Sequence, residues 1–81
     1  MLSMQTLVNR YGERWNVEYR ESGGLTSIGG YLMSYGAQGC ITLSAMLPAN
    51  EKARGLELLA CKLAALPLGR AGTYLWHPDD E

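Results

Sequence analysis

At 81 residues the chain has room for one domain and one core, because a chain of this size buries only roughly 60–65% of the surface it exposes when unfolded. A composition of 47% hydrophobic and 19% charged residues excludes wholesale disorder. The formal net charge of −1 supplies no overall field that would draw the chain to nucleic acid or to an anionic membrane.

The N-terminus, Met1-Leu2-Ser3-Met4-Gln5, lacks the basic start and apolar stretch of a secretion signal, so a cytoplasmic location is expected. Met4, Leu7, Val8 and Tyr11 are spaced as one face of a short helix, with Ser3 as its cap and Gly12 as its stop; a hairpin turning at Gly12-Glu13 is the alternative. Trp15, Val17 and Tyr19 then alternate with Asn16, Glu18 and Arg20, the two-residue period of a strand with one buried face. After a turn at Ser22-Gly23-Gly24, Thr26 to Tyr35 reads as a second strand packing through Ile28, Tyr31, Met33 and Tyr35, with a bulge or bend at Gly29-Gly30. Gly36 to Gly39 turns the chain into a third strand, Cys40 to Leu47. Strands in that order predict an antiparallel meander.

From Asn50 to Leu66 the residues Ala53, Leu56, Leu59, Ala60, Leu63 and Leu66 fall on one helical stripe, which predicts a core-facing helix. Asn50 suits the N-cap, Glu51 the first turn, and Pro67 with Gly69 the stop. The predicted back of this helix carries Gly55, Leu58, Cys61 and Ala65 among its charges. Thr73 to Trp76 is β-prone and predicts a fourth, edge strand before Pro78, leaving Asp79-Asp80-Glu81 as an acidic tail. The expected fold is one α+β domain: a meander with an added edge strand on one main helix, preceded by a short N-terminal helix.

The chemistry-bearing residues are sparse. Apolar runs such as Leu58-Leu59-Ala60-Cys61 fall far short of the roughly 18 residues of a membrane span. Cys40 and Cys61, on a strand and a helix, read as small reduced core residues, and with the lone His77 they are too few for a zinc site. His77 beside Pro78 is a poor base for any nucleophile. The acids are dispersed, and neither glycine pair opens a helix that would hold a phosphate. No enzyme and no cofactor are expected. The seven aromatics are all Tyr or Trp, the types enriched at protein interfaces. Tyr35 and Trp76, beside a turn and near a terminus, are candidate anchors for a protein partner, and Asp79, Asp80 and Glu81 are candidates for contact with a basic surface.

Two resemblances extend this reading. Helix, three strands and helix, with Lys52 to Leu66 as the second helix, resembles the layout of the double-stranded RNA-binding domain. That resemblance implies phosphate contacts from Lys52 and Arg54 and a groove-entering loop at Ser22-Gly23-Gly24. In size, charge and lack of motifs the chain also resembles the small inhibitors that phages use against host systems, anti-CRISPR proteins among them. This second resemblance implies a non-enzymatic module that blocks a surface of a larger host protein, and it is the leading expectation. A homodimer is expected too, through Leu58, Cys61 and Ala65 or through the Thr73–Trp76 edge.

Overall fold

The computed structural model describes residues 3–80. These form strands β1 (Ser3–Val8), β2 (Arg14–Ser22), β3 (Gly30–Tyr35) and β4 (Gln38–Ser44), helix α1 (Ala49–Ala64), strand β5 (Gly72–Trp76) and a closing 3-10 turn (Pro78–Asp80). The strands make one mixed sheet in the order β1-β2-β4-β3-β5, with α1 packed on one face. The architecture is α+β, and the expected edge strand is present as β5, antiparallel to β3 from Gly30 opposite Trp76 to Ser34 opposite Gly72.

The predicted N-terminal helix is corrected to a strand. β1 pairs antiparallel with β2, with Leu7 opposite Trp15 and Ser3 opposite Tyr19, and the hairpin alternative at Gly12 is the one realised. Asn9 explains why. Its Oδ1 accepts from the N–H groups of Tyr11 (3.0 Å) and Glu13 (2.8 Å), an Asx-type turn that competes with helix. Gly12 takes the left-handed φ of +76° that closes it. The helix–strands–helix layout therefore gives way to a hairpin start.

The predicted meander is corrected as well. β4 is inserted between β2 and β3, parallel to β2 (Tyr19 opposite Ile41) and antiparallel to β3 (Leu32 opposite Ile41). Ser22-Gly23-Gly24 does not fold β3 back onto β2. The chain instead passes over the end of β4, where Ser44 N donates to Gly29 O (2.8 Å), Ala45 N to Ser22 O (2.9 Å) and Ser44 Oγ to Leu25 O (3.2 Å). The reason lies in β4 itself: Ile41, Thr42, Leu43 and Ser44 are buried in succession. A strand buried on both faces belongs in the middle of a sheet, and β2, with its wet alternate residues, belongs nearer the edge.

The core lies between α1 and the sheet: Trp15, Val17, Leu32, Ile41, Leu43, Leu59, Leu63 and Trp76. The helix is set differently from the predicted stripe. It begins at Ala49 after an N-cap at Pro48, with no side-chain cap, so Asn50 lies inside its first turn. Its buried residues are Gly55, Leu59 and Leu63, while Ala53 is exposed. Gly55, assigned to the back by spacing, faces the core because the Trp76 ring lies directly against it; a β-carbon there would collide with that ring. Trp76 fills the space that a larger helix residue would need.

The end of α1 is tied to the β1–β2 turn. Leu66 O accepts from Asn9 Nδ2 (2.8 Å) and from Trp15 Nε1 (3.1 Å), Arg10 N donates to Ala64 O (2.8 Å), and Leu68 N donates to Glu13 Oε1 (3.0 Å). The Asn9 amide and the Leu68 N–H together hold the Glu13 carboxyl below its ordinary 4.5. At the other end of the sheet the Lys52 ammonium and the Tyr19 hydroxyl lower the carboxyl of Glu21. Groups whose folded pKa is depressed add stability above the ordinary value and lose it as pH falls through the folded one. The urea midpoint is therefore expected to be flat from neutral pH to about 5 and to drop below it, with a shallower acid limb in Glu13→Gln. An equally steep acid limb in that variant would contradict the assignment.

Candidate partner interface

One face of the sheet carries α1 and the other is left open by the described residues. On the open face, register aligns Met4, Glu18, Cys40, Met33 and Thr73 in one row. Arg20, Thr42, Tyr31 and Leu75 form a second row, and Thr6, Asn16, Gln38 and Tyr35 a third. Met4, Val8, Met33, Tyr35 and Leu75 are large apolar side chains exposed on it. The half built from β3 and β5 is the more apolar; the half built from β1 and β2 holds the ion pair Arg20–Glu18 (3.0 Å). Thr42, the centre of this face, is fully buried although α1 lies on the opposite side.

The predicted site residues fare unevenly. Tyr35 is 77% exposed at the end of β3, beside the Gly36 turn, as an anchor should be. Trp76 is only 5% exposed and sits in the core, so it is not on the surface with Tyr35. The guess that it stood free came from its place near the terminus, but β5 carries it under α1. Asp79 is exposed in the 3-10 turn that also includes Asp80, and Glu81 lies outside the described residues. Asp79 is thus at the opposite end of the sheet from Tyr35, because β3 and β5 run antiparallel.

Lys52 and Arg54, the residues the RNA-binding resemblance would use, are engaged within the fold. Lys52 Nζ pairs with Glu21 (2.9 Å), and Arg54 pairs with Glu51 (2.7 Å) while its guanidinium stands 6.0 Å from the Trp76 ring centre. Both positive charges face a carboxylate of this chain, which lowers what they offer to phosphate.

Other features offer little chemistry. Cys40 is part-buried on the open face and Cys61 is exposed on the outside of α1, where its spacing put it, so Cys61 is not the small buried residue expected of a cysteine; both are free thiols. Leu58 and Ala65 are half-buried. A groove of about 410 Å³ beneath the crossover loop brings Ser27, Ser44 and Asp79 together without a histidine or cysteine on its wall. Among the described residues no His/Cys/Asp/Glu group has metal-binding geometry, and no helix is long and apolar enough to cross a membrane. On the helix side of the sheet, burial and then the hydrogen bond to Glu21 raise the Tyr19 hydroxyl to about 12. Tyr19 is therefore expected to ionise late. Because its folded value is raised, the stability it contributes is complete below about 10 and is lost as pH rises toward 12. An absorbance titration at 295 nm in which Tyr19→Phe removes no late-ionising component would contradict this.

Arg10, Arg14 and Arg70, which spacing did not group, are all exposed at the end of the sheet where Tyr35 lies. They lie too far apart in sequence to read as a cluster. Comparison of the chain with family models, curated proteins and solved structures finds no match.

Proposed function

We propose that this protein is a non-enzymatic protein-binding module of the phage-inhibitor kind, which acts in the cytoplasm by covering a functional surface of a larger host protein. One observation carries the reading: the sheet face opposite α1 is uncovered and exposes Met33, Tyr35 and Leu75 from adjacent strands, with Met4 and Val8 at the far edge. Soluble domains seldom leave large apolar side chains grouped on a flat face without a partner. Tyr35, at the turn end of that patch, is of a residue type that often dominates binding energy.

The test separates binding from folding. Met33→Asp with Leu75→Asp alters exposed side chains only and is expected to change stability by no more than about 0.5 kcal/mol per site. Wild type and variant are used as baits in nuclease-treated bacterial lysate. A protein retained in stoichiometric amount by wild type and lost from the variant supports the reading. Equal recovery by both baits, or no recovery under mild salt, counts against it.

A further inference from the structure

We infer that the turn end of the sheet recognises an acidic protein surface through Arg10, Arg14 and Arg70, an inference that rests on the protein-binding reading and names the chemistry of the partner. Arg14 opens β2 on the uncovered face, opposite Val8. Continuing the registers, in which Asn16 is opposite Gln38 and Ser34 opposite Gly72, sets Arg14 level with the Gly36 turn and Arg70 level with the same turn on its far side. Strands about 4.8 Å apart then put Arg14 and Arg70 about 14 Å from each other, with Tyr35 between them. Arg70 is fixed there by its backbone: its carbonyl accepts from Ser34 Oγ (2.7 Å), and Gly69 N donates to Gly36 O (2.8 Å). Arg10 extends the row, its own N–H bonded to Ala64 O.

The charge pattern is what selects the partner. The cations Arg20, Lys52 and Arg54 each pair with a carboxylate of this chain. Among the described residues Arg10, Arg14 and Arg70 make no such pair. The acid between them in sequence, Glu13, has Oε1 turned to Asn9 Nδ2 (3.0 Å) and Leu68 N (3.0 Å). Three exposed arginines thus stand at the turn end of the sheet where Tyr35 lies, Arg14 on the uncovered face and Arg10 and Arg70 in the connections that border it. A protein carboxylate surface fits this better than a phosphate backbone, since tight nucleic-acid binding draws on about 6–10 phosphate contacts, whereas an interface needs only a few Arg and Tyr anchors.

The full chain is titrated at low salt with fluorescein-labelled polyglutamate and, separately, with labelled oligothymidylate. Polyglutamate is expected to bind wild type more tightly than oligothymidylate does, to lose about tenfold or more in Arg14→Glu/Arg70→Glu, and to weaken as salt shortens the Debye length below about 10 Å. Arg14→Gln/Arg70→Gln, which removes charge without adding any, is expected to fall between. Absence of polyglutamate binding, or binding unchanged in the reversal variant, overturns the proposal. Tighter binding of oligothymidylate overturns it in favour of nucleic acid. Met33→Thr/Leu75→Thr, which removes the apolar groups without adding charge, should lose lysate capture but keep its hold on polyglutamate, so the two losses report on the two readings separately.

Discussion

Trp76→Ala is expected to lower the unfolding free energy by about 3–5 kcal/mol, the range for emptying a buried aromatic site. That is a large share of the total for a domain of this size, about 4–12 kcal/mol. The ring is the meeting point of three elements: it belongs to β5, lies on the Gly55 gap in α1 and sits beneath the Arg54 guanidinium. Gly55→Ala tests the same contact from the other side. On an exposed helix face that change would add about 1 kcal/mol of helix propensity. Here the new β-carbon meets the ring, and overpacking is expected to cost about 1–3 kcal/mol instead. Because each variant perturbs one contact, their effects should not add. Gly55→Ala should be milder, or reverse sign, in a Trp76→Leu background. Urea unfolding of the four proteins, followed by far-ultraviolet circular dichroism, measures this directly. Additive effects would mean that the gap and the ring are independent.

Asn9→Ala is expected to cost about 2–3 kcal/mol, from several hydrogen bonds worth about 1 kcal/mol each and from burying their former partners. Asn9 is 5% exposed, and its amide joins four groups: it donates to Glu13 Oε1 and Leu66 O and accepts from the N–H groups of Tyr11 and Glu13. It thereby sets the β1–β2 turn and fastens that turn to the end of α1. Asn9→Asp keeps the acceptor, loses the two donated bonds, and places a second carboxylate beside Glu13. That variant should be no better than alanine at neutral pH and should recover as pH falls toward 4. The midpoint of thermal unfolding across pH decides. A pH-independent Asn9→Asp penalty would mean that the amide's donors contribute little.

The fold was partly legible in the sequence. The alternation of Trp15, Val17 and Tyr19, the edge strand before Pro78 and the existence of one main helix all follow from local pattern, and local pattern is what these elements obey. The N-terminal segment was not, because Met4, Leu7, Val8 and Tyr11 satisfy helical spacing while the deciding residue, Asn9, closes a turn with Tyr11 and Glu13 and is held there by a hydrogen bond to Leu66, 57 positions away. Strand order was hidden for a similar reason. The Ser22-Gly23-Gly24 turn looks like a hairpin, and only competition for the doubly buried central position places β4 next to β2. The face of α1 was misread at Gly55, since spacing put it on the back and the ring that needs the gap, Trp76, belongs to another element. For the interface, Tyr35 was legible from its place beside a glycine turn. The arginines proposed for it were not, as Arg14 and Arg70 come to the same end of a sheet whose order had first to be known.

Two thiols make the most direct measurement of the proposed contact. Cys40 lies on the uncovered face between Glu18 and Met33, and Cys61 lies exposed on the outside of α1. The free protein and the protein bound to its captured partner are treated with iodoacetamide, and alkylation of each cysteine is followed by mass spectrometry. If the open face is the interface, Cys40 labelling slows in the complex while Cys61 labelling keeps its free rate. Protection of Cys61 with Cys40 unchanged would place the partner on the helix and contradict the assignment of the open face.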